Sequence, residues 1–191
     1  MADLAAPDDA IPAGDFGTWL DAFPATLSGV IDADVPCDSC TGCCTSSQFI
    51  AIGPDEVDAL RHIPAALRFP APGQPKGHVL LGYDEHGRCP MLVNGACSIY
   101  EHRPRTCRTY DCRVFPAAGV EPDEPTKAAI LDRVRRWRFS YADPRDEARH
   151  AAVRAAADAL RSGEAGPVPS TTTHLAVAAV ELSAERARGG R

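Results

Sequence analysis

Four cysteines fall within eight residues, as Cys37-x2-Cys40-x2-Cys43-Cys44, and this run constrains the chain more than any other feature. The other four, Cys89, Cys97, Cys107 and Cys112, lie further along, and none follows Cys112. Thiols gathered in one stretch indicate a metal or iron–sulfur site rather than cysteines scattered through a core. A C-x2-C loop presents two soft sulfur donors to one tetrahedral ion, which suits zinc or iron. The run also continues to a third cysteine, and Cys89 is followed by Pro90. A C-x2-C-x2-C loop with a remote Cys-Pro is the pattern of ferredoxin cluster loops.

An even count would allow four disulfides, so the compartment decides how the thiols are read. The N-terminal stretch MADLAAPDDAIPAGD is acidic, without the basic start and apolar core of a signal peptide. Apolar runs are far shorter than a membrane span, so no membrane partner is expected. A cytoplasmic protein follows as the expectation, and disulfides do not persist there. A net charge of −6 argues against nucleic-acid binding through bulk charge.

Adjacent side chains in an extended loop diverge, so Cys43 and Cys44 cannot both serve one ion without strain. Either they serve different metals or one of them is not a ligand; two or more metals is the favoured reading, with Cys44 turned toward the ligands from 89–112. Thiolates in this number carry a large negative charge. Arg88, Arg103, Arg105, Arg108 and Arg113 surround the second group and are candidates to offset it as donors to sulfur. The histidines (62, 78, 86, 102, 150 and 174) are scattered. His102 alone falls among the cysteines and reads as a solvated loop residue. There is no C-x3-C-x2-C loop, no glycine-rich phosphate loop and no Ser-His-Asp set, so no catalytic residue is assigned.

The segments C37-x2-C40-x2-C43-C44, C89-P90-x-L92, C97-x-I99-Y100-x2-R103-P104 and C107-R108 together resemble the YkgJ-type cysteine-cluster family, the CxxCxxCC zinc- or iron-chelating domain. The resemblance covers roughly 37–115 and implies zinc or iron, including an iron–sulfur cluster, as the cofactor. Flagellin lysine N-methylases carry a similar cluster. The resemblance therefore leaves two further readings open: an iron–sulfur-dependent enzyme, such as a protein lysine methyltransferase or redox protein, and a zinc-stabilised interaction module.

The expected fold class is α+β, a small metal-centred domain with a short β-meander and loops, followed by C-terminal α-helices. Residues 1–36 form a lead-in whose Phe16, Trp19, Leu20 and Phe23 sit at helical spacing, with Pro24 as punctuation. Residues 37–115 form the cysteine-cluster domain. Strands are expected at 48–52, 78–83, 89–93 and 97–100, with Asn94-Gly95 as a hairpin turn. A helix opens at Pro54, a proline-rich loop covers 64–77, and a short helix starts at Arg103-Pro104. Residues 116–191 form a helical extension, with helices at 125–139, 144–162 and 171–187 and the alanine-rich faces offered to a protein partner. Metal ions are the other expected partners. The metal ligands expected are Cys37, Cys40, Cys43, Cys44, Cys89, Cys97, Cys107 and Cys112.

Overall fold

A computed structural model describes residues 9–37 and 39–189. The acidic start at 1–8, Asp38 within the cysteine run, and the end at 190–191 lie outside the described residues. The chain divides into two units. One, the helical unit, holds the described residues up to Ala25, Asp111–Asp123 and Leu131 onward; the other, the cysteine unit, holds Thr26–Tyr110 and Glu124–Ile130. The architecture is α+β, with short sheets and long helices toward the C-terminus.

The helical unit begins with strand β1 (Ile11–Asp15), which runs directly into helix α1 (Phe16–Leu27). Asp15 marks the junction, its carboxylate accepting the backbone N–H of Thr18 at 2.9 Å, as an N-capping side chain does. The helix carries Pro24 in its last turn rather than stopping there. Strand β7 (Trp137–Ser140) lies parallel to β1, Ile11 opposite Trp137 and Asp15 opposite Ser140. A helix was expected to run through Trp137, yet helix α5 (Ala128–Arg136) ends just before it. The run WRFS then alternates, Trp137 buried, Arg138 exposed and Phe139 half-buried, and a period of two belongs to a strand. Between these elements come α4 (Val114–Ala118), closed by Gly119 at φ 66°, then α6 (Arg145–Arg161) and α7 (Thr172–Gly189). Asp143 caps α6 by accepting the Arg145 N–H at 2.8 Å, and Gly163 at φ 80° ends it. Ala156, Ala157, Ala176 and Ala179 have no exposed surface, so α6 and α7 approach closely on small side chains.

His150 on α6 is buried against Phe16, ring centroids 4.2 Å apart and stacked. Its Nε2 faces the Pro116 carbonyl at 3.3 Å, which can only accept, so Nε2 carries the proton and Nδ1 accepts from the Tyr141 hydroxyl at 2.7 Å. This arrangement suits the neutral ring. Burial, then the Arg154 charge, holds its pKa below the ordinary value of 6.5. The unfolded chain therefore binds a proton that the folded one resists. Stability is full above about pH 6.5 and falls as the pH drops below it. Thermal melts from pH 8 to 5 should show this loss, and His150→Gln should flatten it while lowering stability at pH 8.

In the cysteine unit, β2 (Ile50–Ile52), β3 (Arg68–Pro70) and β4 (Val79–Leu81) form an antiparallel sheet in the order β2-β4-β3. The expected proline-rich loop thus contains a strand, and Pro70 fits it because the strand lies at an edge. β4 pairs with β2 and β3 rather than heading a meander. The following hairpin, β5 (Leu92–Val93) and β6 (Ala96–Cys97), stands as its own ladder. Asn94 and Gly95 at its turn have φ 51° and 78°, the two left-handed conformations that a two-residue turn of this kind requires. Helix α2 (Val57–His62) packs near a short turn at Tyr100–His102, and helix α3 (Arg105–Thr109) packs near β2. Ile50, Ile52, Ala59, Ile63, Leu81 and Ile99 make the apolar core of this unit. Among the described residues of both units, no helix is long and apolar enough to cross a membrane.

Candidate metal centre

The cysteine unit holds seven of the eight cysteines, on three pieces of chain. Cys37 and Cys40 lie in a turn in which the Cys40 N–H donates to the Cys37 carbonyl at 2.8 Å. Cys43 and Cys44 lie in a single 3-10 turn, Gly42–Thr45. Successive side chains there are a third of a revolution apart, so the adjacent thiols diverge. Cys43 is exposed and Cys44 half-buried. The divergence expected of an extended loop is present, but a helical turn produces it. Gly42 has little room for a side chain, since a Cβ there would lie 3.2 Å from the Ala129 carbonyl oxygen. The Glu124–Ile130 segment thereby backs the turn.

Cys89 is tied to this turn through the backbone, its N–H donating to the Cys44 carbonyl at 2.7 Å. The β5–β6 hairpin sets Cys97 opposite Leu92, three residues after Cys89. Pro104 starts α3, which places Cys107 one turn in, with its N–H on the Pro104 carbonyl at 2.9 Å. Cys89, Cys97 and Cys107 all pack against the apolar core of the unit.

The thiols act on one another electrostatically. Burial, then the neighbouring Cys89, Cys97 and Cys40, pushes the Cys44 thiol up to about 11. Burial, then Cys89, Cys44 and Cys97, pushes Cys107 up to about 12. Cys89 is raised too, by burial first and then by Cys97, against backbone donors from Met91 and Leu92. Cys44, Cys89 and Cys107, with Cys97 beside them, therefore resist ionisation where they lie, and a bound cation would favour their thiolate forms. The arrangement fits zinc or iron by donor chemistry and by burial. The sulfurs are neighbours but not drawn together: among the described residues, no three cysteine thiols lie within 4.8 Å of one another. A tetrahedral zinc–thiolate centre sets its sulfurs about 3.8 Å apart.

Of the five arginines, Arg103 is the one that opposes the raised thiol values, at both Cys44 and Cys107. Its Nε donates to the Tyr100 carbonyl at 2.8 Å and its guanidinium lies 3.6 Å over the Tyr100 ring. Arg105 pairs with Asp55 and Arg108 with Asp32. In the helical unit, Arg113 pairs with Asp111. These three answer carboxylates.

Cys112 belongs to the helical unit. It is buried, and its sulfur accepts the indole N–H of Trp137 at 3.2 Å.

A second group is one the sequence reading passed over. Asp58, His62 and His102 bring one ligand atom each within 4.8 Å of the others. Asp58 and His62 are one turn apart on α2, a spacing that puts them on one face. The separation of 40 positions between His62 and His102 conceals the third member.

Residues 36–129, just under half of the chain, match the CxxCxxCC family. No curated protein and no solved structure matches the chain. The matched stretch spans the seven clustered cysteines, Cys112, and the Glu124–Ala129 backing of the first turn. Over residues 36–129 the chain is therefore similar to a domain described as a putative zinc- or iron-chelating domain.

Proposed function

We propose that the chain binds zinc or iron through the seven cysteines of the cysteine unit, Cys37, Cys40, Cys43, Cys44, Cys89, Cys97 and Cys107. The observation that carries this reading is the gathering of the half-buried thiols at 44, 89, 97 and 107 on one unit's apolar floor, where burial first and neighbouring thiols second push up Cys44, Cys89 and Cys107. Seven thiols exceed what one tetrahedral ion takes, and the divergent directions of Cys43 and Cys44 allow two centres to share the run. The bound metal supplies positive charge that compensates the buried thiolates and couples the three chain pieces, so binding free energy becomes folding free energy. Cys112, expected among the ligands from its position, is proposed instead as a packed thiol held by Trp137.

Elemental analysis and visible absorption of anaerobically purified protein test the reading. A colourless protein with zinc, or a brown one with iron and inorganic sulfide, is the expected pair of outcomes, and each names the metal. Protein with neither metal would overturn it. Cys112→Ser should leave the metal content unchanged and lower the melting temperature; loss of metal in this variant would restore Cys112 to the ligand set.

A further inference from the structure

We propose that Asp58, His62 and His102 form a separate binding site for a divalent ion of the zinc type, built from nitrogen and oxygen donors. The two imidazoles lie face to face, centroids 3.5 Å apart and planes within 3°. His102 Nδ1 lies 2.8 Å from Asp58 Oδ2, and His62 Nδ1 lies 3.6 Å from Asp58 Oδ1. The His62 Nδ1 also faces the Asp58 carbonyl at 2.9 Å, which fixes that ring one turn along α2. Two imidazoles and a carboxylate are a borderline-hard donor set that zinc and its neighbours take readily and that thiol-seeking ions do not require.

The site stands apart from the thiol chemistry in kind. Its three side chains are well exposed, 65% for Asp58 and 39% for each histidine. Water would complete the coordination, and the ion would exchange freely. Two nitrogens bound to one ion at about 2.0–2.1 Å cannot keep their rings parallel, so binding opens the stack. The carboxylate that joins the rings is the most exposed of the three.

The inference does not depend on the thiol centre, and the test separates them. Protein carrying whatever metal it retains after gel filtration is titrated with zinc alone, and uptake is measured by equilibrium dialysis. Wild type should bind about one more exchangeable zinc per chain than His62→Gln or His102→Gln, with retained metal and melting temperature the same in all three. Asp58→Asn should weaken the uptake. Nitrogen NMR of the imidazoles should show both rings shifting as zinc is added. Equal uptake in wild type and the two histidine variants, or ring signals that zinc does not move, would overturn the proposal.

Discussion

Cys107→Ser should strip metal from the protein and lower its thermal stability more than any other single substitution. The Cys107 thiol meets Cys44, Cys89 and Cys97 and rests on the apolar core of its unit. A serine keeps the shape but offers a hard, protonated oxygen, which binds zinc or iron poorly. Structural zinc contributes about 10–16 kcal/mol of apparent folding free energy in small domains, so a broken ligand set forfeits a large share of it. The cysteine unit has few other means to hold its loops, because its sheet strands are three residues long and its hairpin strands two. Metal content and thermal melting measured together check this. Full metal with unchanged melting would count against Cys107 as a ligand.

The second large effect falls on the helical unit. Asp111 is buried and accepts the Trp19 indole N–H at 2.8 Å, the Arg113 backbone N–H at 2.9 Å, and the Arg113 guanidinium through both carboxylate oxygens. Arg113 in turn donates to the Ala13 carbonyl of β1 at 3.0 Å. Asp111→Ala would leave a buried guanidinium without its counter-charge and an indole donor without an acceptor. Breaking a buried pair in this way costs about 3–5 kcal/mol. Urea unfolding should register that loss. Asp111→Asn, which keeps one acceptor and the shape, should lose less. If Asp111→Ala unfolds at the wild-type midpoint, the network does not hold the unit.

Much of the site was legible because its chemistry is local. The spacing Cys37-x2-Cys40-x2-Cys43-Cys44, the Asn94-Gly95 turn that carries Cys97, and the Pro104 start before Cys107 are short-range signals, and the structure contains each of them. Helices α6 and α7 were legible for the same reason, their caps and closing glycines being written beside them. What escaped was pairing at long range. Nothing near Ile11 announces that it will lie against Trp137, and nothing near Arg68 announces that it will sit beside Leu81. Three-residue strands carry too little period to be separated from loops, and tertiary partners decide them. The role of Arg103 at the thiols, against Arg105 and Arg108 at carboxylates, likewise depends on which acids the fold brings near. His62 and His102 are the clearest case, a ring stack made by residues that no spacing rule connects.

The parallel pairing of β1 with β7 has a consequence for how the protein is made. Ile11 leaves the ribosome long before Trp137, its partner, is synthesised. At about 5–20 residues per second, the intervening stretch takes roughly 6–25 s to appear. All eight cysteines emerge within that interval. The thiols of the first run therefore meet the cellular metal pool while the helical unit is still unable to close. On the proposed ligand set, all the thiols would thus be available to metal before the late-arriving strand completes the helical unit.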